Sequence, residues 1–344
     1  MRTLLLTRPD DWHVHLRDDD ALKHTVMATA QHFHRALVMP NLMPALTTLE
    51  SVNAYRERIL KRLNKTTHFI PYMTLYLNES VNPNDLEAAA KHPFVLGAKF
   101  YPAGATTHSE EGAPSIQTLY PLLEVMQDLE LVLQLHGEVT TGDIFKREAQ
   151  FITEYLIPLT RDFPKLRMVL EHISTRAAVE FVTNAPENIA ATITPHHMLY
   201  NRNHLLAGGL KPHYYCLPIL KNARDQTAIL GAAASGNPKF FAGTDSAPHA
   251  RAQKESACGC AGIYSAPYAL ALYAEAFDGL NKLPKLNDFM SMFGASFYRL
   301  PITTAHIELV NKPQTIPLTL PMGHEHVVPV AAGSLLQWSV HESC

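Results

Sequence analysis

The sequence predicts an α/β fold: a closed (β/α)8 barrel of the TIM type with a C-terminal extension packed on it. Three observations carry this. Eight short apolar runs rich in Val, Ile, Phe and Leu recur along the chain, separated by longer segments of helical pattern. Alternation of β and α gives a parallel sheet covered by helices. Eight such units suit a closed barrel better than an open doubly wound sheet, and no Gly-x-Gly-x-x-Gly follows the first run.

In chain order, the expected strands are Trp12 to Leu16, Ala36 to Pro40, Phe69 to Leu77 and Val95 to Tyr101, then Leu131 to His136, Arg167 to His172, Ile189 to Thr194 and Lys239 to Gly243. Helical patterns lie between them. Thr48 to Leu63 follows the second strand, Ser115 to Leu129 the fourth and Asp143 to Leu156 the fifth, while Ile219 to Ala234 precedes the eighth. Val179 to Val182 reads as helical core packing. Beyond the eighth strand the chain runs through Gly262 to Leu280 into a Pro-containing stretch. No linker sets this apart, so residues 1–344 are expected to form a single domain.

Composition narrows the class. The chain has 344 residues and a mass of 38.3 kDa, with 47% hydrophobic and 18% charged residues, which is globular rather than disordered. Lys plus Arg is 29 against 32 for Asp plus Glu, a net charge of -3 that argues against a nucleic-acid binder. No apolar run reaches the roughly 18 residues of a membrane span. MRTLLLTRPDDW has too short an apolar core for a signal peptide, and Cys344 is not placed for prenylation. Four cysteines do not make a disulfide framework, so a reduced, cytoplasmic protein is expected. Histidine, at 19, is in excess and directs attention to metal spacing.

In such a barrel the reactive groups collect at the C-terminal ends of the strands. Strand one carries His13 and His15 in DWHVHLRD; residues two apart share a face, so both can reach one metal or can simply alternate into a packed core. Strand four ends in GAKFYPAGATT. Lys99 there is either a salt-bridged structural group or a lysine carboxylated by CO2, whose carbamate oxygens could bridge two metals. His136 ends strand five and His172 strand six, and each alone reads as structural. Asp245 and His249 follow strand eight in FAGTDSAPHAR, where an Asp alone is often a helix N-cap. The joint placement decides: His-x-His, Lys, His, His and Asp fall in order at strand ends one, four, five, six and eight.

These motifs, with VMPNL, LHGEVT, EHIST, NRNH, YCLPILK and KESACGCAG, resemble the amidohydrolase superfamily and, within it, the shorter bacterial dihydroorotases over nearly the whole chain. The resemblance implies a cyclic amide hydrolase that interconverts N-carbamoyl-L-aspartate and L-dihydroorotate in pyrimidine biosynthesis. It implies two Zn2+ per subunit, bridged by N6-carboxylated Lys99 and a hydroxide. His13 and His15 would bind the more buried zinc with Asp245, and His136 and His172 the second. Asp245 would also act as general acid and base. Arg17, Asn41 and His249 would grip the substrate carboxylate, a task suited to the planar fork of Arg. Taken alone, Arg17 also reads as a surface ion pair with Asp18 or Asp19.

The resemblance further implies that backbone groups at Leu217 and Ala261 bind the ring amides. Thr106 and Thr107 would lie on a mobile substrate loop, and the assembly would be a homodimer with neither nucleic acid nor membrane as partner. Two departures stand in that loop. Gly104 replaces the Asn of some relatives, and Glu110-Glu111 is acidic for an anionic substrate. Cys258-Gly259-Cys260 is given no metal role, His196, His197 and His204 are read as orienting or structural, and His32, His34 and His68 as surface or satisfied core groups. Two other functions remain open at this point: a hydantoinase- or dihydropyrimidinase-like enzyme, which would share the metals without needing Arg17, and an inactive scaffold, which would be expected to lack ligands.

Overall fold

The computed structural model describes residues 2–64, 67–257 and 259–341. Eight parallel strands follow one another around a sheet in sequence order: β1 (Asp10–Val14), β2 (Arg35–Val38), β3 (Ile70–Leu77), β4 (Val95–Phe100), β5 (Val132–Leu135), β6 (Met168–Leu170), β7 (Ile189–Ile193) and β8 (Phe240–Ala242). Just beyond the ladder of β8 the sheet returns to β1. Asp245 N–H donates to the His13 carbonyl at 2.8 Å, and His15 N–H to the Ser246 carbonyl at 3.1 Å. Gly243 permits this approach, because a Cβ there would lie 2.8 Å from the Thr192 Cβ and 3.0 Å from that of His13. Barrel closure therefore runs through the backbones of the expected metal ligands.

Alternation along the strands builds the interior in layers. At the bottom, Leu37, Val132, Val169, Ala190 and Phe241 pack with Trp12 and Tyr298, and Trp12 stacks on Tyr298 with ring centroids 4.6 Å apart. Two residues further along, the inward positions turn polar. Thr74 Oγ1 donates to Gln134 Oε1 at 2.9 Å, and Thr192 Oγ1 to Glu171 Oε2 at 2.6 Å. Two further again come Tyr101, His136 and Asp245. The opposite faces carry Ala36, Val38, Leu133, Leu135, Met168, Leu170, Ala191 and Ile193, which join the surrounding helices in one apolar core. Each fully buried Leu or Ile there contributes about 1.5–3 kcal/mol.

Several helices start at side-chain caps. Thr48 and Ser51 form a reciprocal capping box on Leu49–Lys61, while Asn82, Thr175 and Asn222 cap Pro83–Ala90, Arg176–Asn184 and Ala223–Ala233. The segment expected from Asp143 to Leu156 is different. It becomes helical only at Arg147 and continues past Leu156 to Asp162, through a π turn at Ile152–Leu156. Pro158 has no N–H, and its ring crowds the carbonyl four residues back; the wider turn just before it lets the helix continue. The stretch expected from Ser115 opens as a 3-10 turn, Ile116–Leu119, before Tyr120–Asp128.

Sequence pattern did not reveal how the chain ends meet. An N-terminal strand, Thr3–Thr7, pairs antiparallel with His306–Val310, to which Ser339–Val340 is added. Two short antiparallel pairs, Gln314–Thr315 with Leu335–Leu336 and Leu320–Met322 with Glu325–Val327, complete the extension. Leu309, Ile316, Val330, Leu336 and Trp338 belong to the same apolar core as the barrel and its helices.

Candidate metal centre and active site

Seven of the eight expected strands overrun the observed ones by one or two residues at their C-terminal ends, and the chemistry sits in that overrun or just past it. His136, His172 and Asp245 stand one to three residues past the last ladder residues Leu135, Leu170 and Ala242. Two of them leave the strand in the left-handed region: His172 at φ 41° and Asp245 at φ 45°. For non-glycine residues this conformation is uncommon and clusters at functional sites. Alternation from Glu171 would turn His172 to the other face, and its left-handed backbone brings the ring back into the barrel mouth. Arg17, at φ 60°, makes a similar turn after β1, with its carbonyl held by the buried Tyr55 hydroxyl.

The imidazoles form a continuous chain. Ring centroids are 5.3 Å apart for His15 and His13, 4.9 Å for His13 and His172, and 4.9 Å for His172 and His136. Asp245 Oδ1 lies 3.2 Å from His15 Nε2 and 3.5 Å from His13 Nε2. Burial pushes His13 and His172 well below the usual imidazole range and also lowers His15, so these rings are neutral and present lone pairs. Lys99 is fully buried on β4 with no hydrogen bond to its Nζ, and burial depresses its ammonium to about 8 against the pull of Glu171 and Asp245. The salt-bridged structural lysine is thus not what forms. Nor is Asp245 a helix cap, since the next helix begins at Arg251.

The donor set fits a metal centre. His13 Nε2, His172 Nδ1 and Lys99 Nζ are buried without a hydrogen-bond partner, which is costly unless something else occupies them. His13, His15 and Asp245 bring ligand atoms within 4.8 Å of one another. Neighbouring carboxylates orient the rings. Glu171 Oε2 lies 2.8 Å from His13 Nδ1, and Glu138 Oε2 lies 3.2 Å from His136 Nε2, with Lys221 Nζ 3.7 Å from the other Glu138 oxygen. Asp11 lashes β1 to β8 through Thr244, from which it accepts the backbone N–H at 2.8 Å and the hydroxyl at 2.6 Å.

Above these residues lies a narrow cavity, lined by His15, His136, His172 and Asp245 on one side. Arg17, Asn41, Thr106, Thr107, Leu217 and Ala261 line the other. Arg17 does not pair with its acidic neighbours. Asp18 bridges to Arg58 at 2.6 Å, while the Arg17 guanidinium donates to the Pro248 carbonyl at 2.8 Å and reaches His249 Nε2 at 3.0 Å. That same His249 nitrogen is 3.0 Å from the Ala261 carbonyl. Gly262, at φ 152°, keeps this corner open, since a Cβ there would sit 2.9 Å from the His249 ring.

The 104–112 loop is folded down over the cavity. Asn41 Nδ2 donates to the Thr107 carbonyl at 3.1 Å, and Thr107 Oγ1 to that of Ala261 at 3.2 Å, so the backbone group expected to meet substrate is engaged by the loop. Buried Ser109 braces the loop from inside, accepting from Thr106 N–H at 2.8 Å. Both departures noted in the sequence find their reasons here. Gly104 sits at φ 73°, a conformation Asn also tolerates, and Glu110 and Glu111 face solvent rather than the cavity.

Among the remaining residues, His204 is exposed and its ring accepts from Asn201 N–H, His32 and His34 are half-buried, and His68 is exposed. His196 and His197 are both buried. Cys260 is a free thiol, and Cys258 lies outside the described residues. Sequence reasoning missed Glu138, Glu171 and Tyr101, whose buried hydroxyl has no hydrogen-bond partner and whose ring lines the cavity. For Glu138 and Tyr101 a signal existed: each stands two residues after an expected ligand, His136 or Lys99.

Residues 81–190 match a family model described as amidohydrolase. Over 342 residues the chain is 53% identical to a dihydroorotase of Coxiella burnetii, covering 99% of this chain and 98% of that protein. The chain belongs to the dihydroorotase family. Another family member, from Idiomarina loihiensis, is 54% identical over 99% of both chains. Among solved structures, dihydroorotase from Campylobacter jejuni superimposes with a TM-score of 0.91 at 35% identity, covering 99% of this chain and 98% of that one. Dihydroorotase from Saccharomyces cerevisiae, solved with 5-fluoroorotic acid, gives 0.90 at 33% identity over 99% of both chains. An L-hydantoinase from Arthrobacter aurescens shares the fold alone, at 16% identity with a TM-score of 0.78, over 98% of this chain and 83% of that one. As a dihydroorotase family member, the chain is an enzyme of the cyclic amide hydrolase class, with a role in pyrimidine synthesis.

Proposed function

We propose that the barrel mouth is a binuclear zinc centre that interconverts N-carbamoyl-L-aspartate and L-dihydroorotate plus water. One observation carries this reading: the buried side chains of His15, His136, His172 and Asp245 share a single cavity with Arg17 and Asn41, with unpaired Lys99 buried among the same strand ends and His249 held beside Arg17. His13, His15 and Asp245 would hold one ion and His136 and His172 the other, with N6-carboxylated Lys99 between them. A lysine whose ammonium is depressed to about 8 has the free amine needed to attack CO2, losing one proton to become a carbamate. Two zinc ions so held would polarise the ring carbonyl and bring the pKa of a shared water towards about 7.

The chain's own groups do the rest. Asp245 lies in the cavity wall between both histidines of β1 and the substrate space. It takes the proton released when water attacks the ring carbonyl and delivers it to the departing ring nitrogen; ring closure reverses the transfer. Arg17 holds the substrate carboxylate, with Asn41 and His249 completing its hydrogen bonds. Leu217 and Ala261 supply backbone groups to the ring amides, and Thr106 and Thr107 close over it. With the loop down, Thr107 occupies the Ala261 carbonyl, so substrate binding would exchange the Thr107 to Ala261 bond for substrate contacts. A single-domain homodimer in the cytoplasm completes the reading. Its support is the family resemblance, the shared core of barrel and extension, and the buried free thiol of Cys216.

The test compares hydrolysis of L-dihydroorotate and of dihydrouracil, which lacks the carboxylate, by zinc-loaded protein. A strong preference for dihydroorotate is expected. Arg17→Met should cut kcat/KM for dihydroorotate by roughly 10- to 150-fold, the worth of a charged hydrogen bond, and leave dihydrouracil unaffected. Equal rates on both substrates would keep the metals and overturn the carboxylate clamp.

A further inference from the structure

Outside the barrel-mouth centre, a second set of metal-binding side chains is buried at the C-terminal end of β7. His196 and His197 lie on the short helix Pro195–Leu199, and Cys216 on the segment leading to Ala223–Ala233; all three are almost wholly buried. One ligand atom from each lies within 4.8 Å of the others. We propose that His196, His197 and Cys216 form a third metal site, taking one thiolate-seeking ion of the zinc type.

His196 supplies the first reason. Neither of its ring nitrogens has a hydrogen-bond partner, although the side chain is fully buried. An imidazole left this way costs about 1–3 kcal/mol for each unmet group, and a metal ion satisfies a nitrogen where no protein group is at hand. Burial holds this ring neutral, with a lone pair available.

His197 and Cys216 supply the second. Both converge on one acceptor, the Pro218 carbonyl, at 2.9 Å from His197 Nε2 and 3.2 Å from the thiol sulfur. On the other side of the His197 ring, Thr194 Oγ1 lies 2.8 Å from Nδ1. Without metal, Nε2–H and S–H both donate to Pro218. With metal, the imidazole proton moves to Nδ1 and is donated to Thr194, which frees the Nε2 lone pair; this is the orienting contact that metal-binding histidines usually have. The thiol gives up its proton and becomes the thiolate ligand, so one proton leaves for each ion bound. Burial pushes the Cys216 thiol far up, so the sulfur stays inert until a cation replaces its proton.

Two imidazoles and a thiolate suit zinc or a similarly soft ion and leave a fourth position open. The barrel-mouth centre uses nitrogen and oxygen donors only, so the two sites share no ligand. Cys216 directly precedes Leu217, which lines the substrate cavity, so an ion here would stiffen that wall.

The difference in donors gives the test. Metal-free full-length protein is titrated with Co2+, and bound cobalt is counted while near-ultraviolet absorption is followed. A third equivalent is expected, accompanied by a sulfur-to-cobalt charge-transfer band that the first two cannot produce. Cys216→Ser should abolish the band and return binding to two equivalents, as should His196→Leu for the third equivalent. The double variant Cys258→Ser, Cys260→Ser should keep both. Binding that stops at two equivalents without a band in the unaltered protein would overturn the proposal, whatever the folding of the variants. So would a band that survives Cys216→Ser and disappears with the other two thiols.

Discussion

Lys99 stands where a lysine has no structural reason to be. It is fully buried, its Nζ has no hydrogen-bond partner, and among the described residues no carboxylate pairs with it. Such a group destabilises the fold unless chemistry later employs it. Replacing it by an apolar side chain of similar length should therefore separate stability from activity. Lys99→Met is expected to raise the stability of chelator-treated protein by about 1–3 kcal/mol in urea denaturation, while hydrolysis of dihydroorotate falls to background. A variant as active as its parent would remove Lys99 from the mechanism. Glu171 acts one step back, accepting from the Thr192 hydroxyl at 2.6 Å and facing His13 Nδ1 at 2.8 Å. Glu171→Gln should weaken zinc binding by roughly 10- to 100-fold, measured by competition with a chromophoric chelator. Unchanged affinity would make this carboxylate a packing group only.

At the level of elements, the period of two along the strands made most of the site legible. His13 and His15 share a face, and Lys99 and His136 fall on inward positions that continue Gly97 and Gln134. His172 breaks that rule, because its φ of 41° reverses its direction, and no pattern in the residues encodes such a turn. The helix after β5 was cut short for a comparable reason. The helix was expected to end at Leu156, and the π turn before Pro158 lets it run on to Asp162. That helix docks through Glu148, whose carboxylate accepts Ser174 N–H at 2.8 Å, the Ser174 hydroxyl at 3.1 Å and the Thr175 hydroxyl. Burial raises Glu148 from 4.5 to about 6, against the pull of Lys221. The folded state thus holds a proton that the unfolded chain has released between these values. The stability this gives is complete below pH 4.5 and is lost as pH rises through 6. Glu148→Gln should match the parent near pH 4.5 and exceed it by roughly 2 kcal/mol at pH 7. Urea denaturation at the two pH values tests this; an equal difference at both would mean the carboxyl does not titrate in this range.

Across the whole molecule, the reactive end of the barrel and the joined chain termini are separate pieces of engineering. The proposed ligands stand at the C-terminal ends of the strands, where β8 closes on β1. The termini are held elsewhere, by antiparallel pairing of Thr3–Thr7 with His306–Val310 and by Trp338. This indole is 1% exposed, belongs to the main apolar core and donates from Nε1 to Asp278 at 3.1 Å; the same Asp278 bridges to Arg2 at 2.6 Å. One tryptophan therefore ties the end of the extension to the start of the chain. Truncating a buried tryptophan costs about 3–5 kcal/mol, a large part of the 5–15 kcal/mol by which a protein is stable. Trp338→Ala should lower the unfolding free energy by that amount. Folded variant at low temperature should keep its metal content and its KM for dihydroorotate, since the partners of the ring, Asp278 and Arg2, are neither proposed ligands nor residues of the barrel-mouth cavity. Loss of metal at a temperature where the variant is still folded would show instead that the terminal sheet props up the barrel mouth, and that extension and active site form one cooperative unit.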